Sequence, residues 1–122
     1  MTPSPRAVIL FAHGSRDPQW SEPMRAVAAR MQQQHPHIPV ACAYLEMMEP
    51  DLASASESLI AAGILHVNVV PMFLGVGRHA RHDLPLLMQA LRERHRQVRF
   101  ELKAAIGEDP RVVDLLAAIA AE

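Results

Sequence analysis

This sequence predicts an α/β fold: a flavodoxin-like, four-stranded parallel sheet flanked by helices, in the order βαβαβαβα and with strand order 2-1-3-4. Three observations predict it. Four apolar runs alternate with four helical patterns along the chain. The first run, Ala7 to Ala12, is apolar throughout, as a strand covered on both faces must be. The last run alternates apolar and charged residues, as a strand at a sheet edge does. Strand–helix alternation of this kind implies parallel strands joined by right-handed crossovers.

The first helix opens near Ser21, with Glu22 and Pro23 in its first turn. Met24, Val27, Ala28 and Met31 follow at helical spacing, and Pro36 closes the segment. The second strand is read over Ile38 to Leu45. The next helix begins near Pro50 and Asp51, turns Leu52, Ala55, Ser56 and Leu59 inward, and ends at Gly63 as C′ residue. The third strand is read over Ile64 to Phe73. A glycine-bearing loop, LGVGRHAR, then leads to Asp83 as a candidate cap with Pro85 in the first turn. Leu84, Leu87, Met88 and Leu91 form that helix's stripe. The fourth strand runs from Val98 to Lys103. The last helix has Asp109 as cap, Pro110 at N1, and a core-facing stripe of Val112, Leu115, Leu116 and Ile119.

With 122 residues, half of them hydrophobic, the sequence is read as one domain spanning 1–122 with material for a sizeable core. A net charge of −1 is unlike the basic footprint of a nucleic-acid binder. A lone cysteine, Cys42, fits a reducing compartment. The start of the sequence lacks the pattern of a secretory leader, and no stretch approaches the roughly 20 apolar residues of a membrane span. The expected location is the cytoplasm, with no membrane partner.

In open parallel sheets, ligands bind beyond the carboxyl ends of the strands, near the switch in strand order. His13 follows the first strand, Glu46 the second and His79 the third, with 33 positions between each. The predicted strand order brings all three to one crevice. Two imidazoles and a carboxylate suit a borderline divalent cation such as Fe²⁺, Co²⁺ or Ni²⁺. They also suit proton transfer near neutral pH. Missing thiolates argue against a closed structural zinc site. Each residue has a plainer reading too: His13 as a turn residue, Glu46 as a solvated acid or a partner of Arg16, and His79 as a surface side chain.

His13 to Arg16 (HGSR), Tyr44 to Glu46 (YLE) and Pro71 to Pro85 (PMFLGVGRHARHDLP) together resemble the CbiX/SirB class II chelatases. The segment from Gly107 (GEDPRVVDLL) is similar to that family's closing helix. The resemblance covers nearly the whole chain, and HGSR with the later glycine–histidine–aspartate loop is its specific part. It implies a chelatase-like fold and an enzyme that inserts a divalent metal, Co²⁺, Fe²⁺ or Ni²⁺, into sirohydrochlorin for cobalamin-, siroheme- or nickel-type tetrapyrroles. It further implies that His13 and His79 handle the metal, with Glu46 as acidic partner. Leu84 stands where the family often has isoleucine. Many relatives carry two such units in tandem, whereas this chain resembles the short form, which implies a homodimer.

Metal insertion requires stripping water from the ion and removing two pyrrole protons, tasks for imidazole and carboxylate. It needs no nucleotide, and the sequence has no GxxxxGK[ST] loop. Gly75 and Gly77 form a GxG without a third glycine, and are read as room for a flat macrocycle or as ordinary turn residues. Arg16, Arg78 and Arg81 flank the site and could bind the substrate's carboxylates. His82 is ambiguous between auxiliary ligand and exposed residue. His35, His37, His66 and Cys42 are assigned structural or surface roles. The competing expectation is a metal-delivery protein using the same histidines.

Overall fold

The computed structural model describes residues 6–122. Residues 1–5, part of both the leader reading and the 1–122 span, lie outside the described residues. The elements are β1 (Arg6–Ala12), α1 (Glu22–Gln34), β2 (Val40–Tyr44), α2 (Leu52–Ala61), β3 (His66–Pro71), α3 (Arg78–Arg94), β4 (Arg99–Leu102) and α4 (Pro110–Ala120), with short 3-10 turns at Pro18–Ser21 and Ile106–Glu108. The four strands form one parallel sheet in the order β2-β1-β3-β4. This is the expected order, with its switch at β1.

β1 is continuous and apolar because both its faces are covered. Ala7, Ile9 and Phe11 point into one core with Val67, Val69 and Phe100, beneath Leu52 and Ala55 of α2 and Leu84, Met88 and Leu91 of α3. Val8, Leu10 and Ala12 point the other way, against Met24 of α1 and Tyr44. β4 lies at the edge, and there Phe100 alone is fully buried.

Local chemistry sets the helix ends. Asp51 caps α2, accepting the Ser54 N–H at 2.8 Å, and Gly63 follows the helix at φ +96. Asp109 caps α4 through the Arg111 N–H at 2.9 Å, with Pro110 in the first turn. Two expectations need correction. α3 starts at Arg78, a turn and a half before Asp83, because extended Gly77 is its N-cap and Pro85 is accommodated inside the helix with its ring exposed. The α4 stripe is not core: no residue of α4 is buried, Val112 is only partly covered, and Leu115, Leu116 and Ile119 are exposed.

Candidate active site

β1 and β2 end side by side, and their pairing continues past the strands. The Leu45 N–H donates to the Ala12 carbonyl at 2.9 Å, and the Glu46 N–H donates to the His13 carbonyl at 3.1 Å. This approach depends on Gly14. Its φ is +101, and a Cβ there would lie 1.8 Å from the Glu46 carbonyl oxygen. His13 Nε2 consequently stands 3.7 Å from Glu46 Oε1, with both side chains about half exposed. That separation exceeds a hydrogen bond. It leaves both groups free to share a proton, a water or an ion. Phe73, just past β3, meets the His13 ring edge-on at 6.3 Å and is itself edge-on to Phe11 at 6.2 Å. An aromatic rooted in the core therefore sets the tilt of the imidazole.

His79 comes from the first turn of α3, not from the loop before it. The loop is braced from below. The Gly107 N–H donates to the Phe73 carbonyl at 2.9 Å, and a Cβ on Gly107 would lie 2.2 Å from the Leu74 carbonyl oxygen. His13, Glu46 and His79 line one cavity of about 350 Å³, together with Leu45 and Asp83. Among the described residues, no three His, Cys, Asp or Glu side chains are close enough to grip an ion together. The arrangement is a close pair with a third donor on the same cavity, which is open enough for an ion to enter and leave.

Leu45 and Asp83 also line an adjoining apolar groove of about 420 Å³ walled by Phe11, Leu52, Leu86 and Leu87. Leu45 borders a third hollow as well, of about 410 Å³, that runs past Glu46 and Met48. Met47, beside Glu46, and Leu74, in the loop before His79, are exposed apolar side chains. Cavity, groove and exposed apolar residues share the carboxyl edge of the sheet.

Arg16, Arg78 and Arg81 are exposed around this edge, and none forms an ion pair among the described residues. Gly75 and Gly77 have open space where a side chain would stand. His82 is exposed on α3 and is not among the residues lining the cavity. His66 lies within β3, its Nε2 3.6 Å from Glu101 Oε2. The Cys42 thiol lies 3.9 Å from the Met24 carbonyl, and burial pushes its pKa up, which keeps it protonated and packed. Sequence reasoning missed Phe73 and Asp83 as site residues. Asp83 was findable by helical spacing, four residues after His79, once α3 is started at Arg78.

The CbiX family model matches residues 7–122. A sirohydrochlorin cobaltochelatase of Methanothermobacter thermautotrophicus is 36% identical over 81 residues, covering 66% of this chain and 56% of the relative. A sirohydrochlorin ferrochelatase of Priestia megaterium is 31% identical over 111 residues, covering 90% of this chain and 41% of the relative. The chain thus spans about half the length of these curated relatives. Among solved structures, a putative cobalamin biosynthesis CbiX protein from Marinobacter aquaeolei superposes with a TM-score of 0.84 at 32% identity, covering 96% of this chain and 95% of the other.

Proposed function

The chain belongs to the CbiX family, and from that premise we propose that it is a metal chelatase that inserts Co²⁺ or Fe²⁺, with Ni²⁺ the third candidate, into sirohydrochlorin. The observation that carries the reading is the His13–Glu46 pair at 3.7 Å on a cavity shared with His79. That cavity opens beside an apolar groove where one face of a tetrapyrrole can rest. The ion is substrate, delivered and given up in each turnover. Neutral imidazoles of His13 and His79 replace part of its water shell, and these ligands suit cobalt, iron and nickel alike. Glu46 balances charge and passes protons outward. The exposed Arg16, Arg78 and Arg81 meet the macrocycle's carboxylates, where bidentate pairing would orient the ring. No step calls for a nucleotide. The lone thiol, Cys42, suits the reducing cytoplasm in which we place the reaction.

The working form in this reading is a homodimer. α4 leaves Val113, Leu115, Leu116 and Ile119 at 43–61% exposure, an apolar surface that its own chain does not cover. The matched ferrochelatase is more than twice as long as the stretch that aligns, so it has further chain available to enclose the site. A second copy supplies comparable enclosure in this protein.

The test mixes purified protein, metal-free sirohydrochlorin and Co²⁺, Fe²⁺ or Ni²⁺, and follows the absorption spectrum. Insertion well above the uncatalysed rate is expected. His13→Ala and His79→Ala should each cost on the order of 10²-fold or more in maximal rate while the far-UV spectrum stays native, and Glu46→Gln should cost less. Folded histidine variants that insert Co²⁺ at the wild-type rate would refute the reading. A wild-type protein that binds Co²⁺ but never transfers it would point to metal delivery.

A further inference from the structure

Asp83 is an acidic residue with no structural task in its own helix. It is the sixth residue of α3, beyond the first turn, and Gly77 is the N-cap. Aspartate is a poor helix former away from a cap, because its side chain competes for backbone hydrogen bonds. Its carboxylate makes no ion pair with a Lys, Arg or His among the described residues. It is half-buried all the same. Among the described residues, Asp83 and Leu45 alone line both the His13–Glu46–His79 cavity and the adjoining apolar groove.

Helical spacing relates it to His79. Four residues along α3 carry Asp83 about 6 Å further down the helix on the same face. An ion held by His79 would sit in the cavity, and a ring resting on Phe11, Leu86 and Leu87 would sit in the groove. Asp83 stands at the border between them. A histidine nitrogen bound to the ion cannot also take a proton, and Glu46 lines the cavity but not the groove.

We propose that Asp83 is the catalytic base that receives the pyrrole protons as the metal enters. The proposal rests on the chelatase reading. In each of two steps a pyrrole N–H bond breaks, its electron pair stays on nitrogen to bind the cation, and the proton forms an O–H bond on the Asp83 carboxylate. Asp83 then gives the proton up through Glu46, on the same cavity, to water before the second step. The ion remains divalent, and two protons leave for each metal inserted.

The experiment uses the full chain with sirohydrochlorin and Co²⁺, comparing wild type, Asp83→Asn and Asp83→Ala. Maximal rate should fall on the order of 10²-fold in both variants, as for loss of a general base. Co²⁺ affinity and the KM for sirohydrochlorin should stay unchanged. Added formate should restore much of the rate in Asp83→Ala, where it has room, and not in Asp83→Asn. The Tm of Asp83→Ala should match or exceed wild type, since alanine favours the helix. An undiminished rate in Asp83→Ala overturns the proposal. So does a rate loss matched by lost Co²⁺ affinity, by a raised KM, or by a fallen Tm, or a rate loss that formate leaves untouched. An inert wild type would instead overturn the chelatase reading, and this role with it.

Discussion

Gly14 shows how a single missing side chain lets two strand ends approach. At φ +101, with the Glu46 carbonyl where a Cβ would stand, no other residue fits without parting the ends of β1 and β2. Gly14→Ala should therefore cost about 1–3 kcal/mol of stability through the strained backbone alone. It should also cost activity beyond that, because His13 and Glu46 ride on the two segments that must separate. Denaturant unfolding and the Co²⁺ insertion assay on one preparation would check both. Loss of stability with full activity would show that the His13–Glu46 approach is not needed. At this scale the sequence disclosed His13, Glu46 and His79 as a set, because their positions after successive strands are visible in the order of residues. It did not disclose Phe73 or the reason for Gly14. Both depend on which atoms of distant segments meet, namely the His13 ring at 6.3 Å and a carbonyl of β2's extension.

Among the elements, strands and most helix ends were legible because their causes are local. Asp51, Gly63, Asp109 and Pro110 act on their own neighbours, and each does what its type suggests. α3 was misjudged at its start for the same reason in reverse. Pro85 and two glycines look like punctuation, yet packing of Ala80, Leu84, Met88 and Leu91 holds the helix through the proline. Capping itself can be tested on α2. Hydrogen bonds from Ser54 hold the Asp51 carboxyl below the usual carboxylate range. A lowered folded-state pKa means that the stabilisation is complete above the unfolded value, about 3.9, and is lost as pH falls through the folded one. Asp51→Ala should cost about 1 kcal/mol at neutral pH, as for loss of an N-cap. The gap between variant and wild type should close as the pH is lowered towards the carboxylate range and beyond. Thermal melts across that range would measure it, and a gap independent of pH would mean that the carboxylate is not what caps α2.

Across the whole molecule, strand order followed from alternation and handedness, and with it the edge where His13, Glu46 and His79 meet one cavity. The place of α4 did not follow. An apolar stripe states that a helix face needs covering, but it does not state which chain covers it. An isolated helix of 11 residues is marginal in water, and one apolar on most of its surface depends on tertiary or quaternary packing. Within its own chain α4 has no buried residue, and Leu115 and Ile119 are 61% and 55% exposed. Burying one such side chain is worth about 1.5–3 kcal/mol, so a surface carrying several can support association. A two-fold pair would place the same stripe on both copies, as isologous contacts require. Sedimentation should accordingly give a dimer at working concentrations. Leu116→Glu replaces a side chain that the isolated fold leaves 43% exposed, so each protomer should keep its native far-UV spectrum. Losing one buried leucine per protomer should weaken the dimer roughly 10–100-fold or more, at 1.4 kcal/mol for each factor of ten. The isolated variant should bind Co²⁺ at His13 and His79 yet insert it poorly, because the groove beside them stays open to water. A wild-type monomer with full activity, or a Leu116→Glu variant that still sediments as a dimer, would remove α4 from the interface and leave its exposed apolar face without a partner copy to cover it.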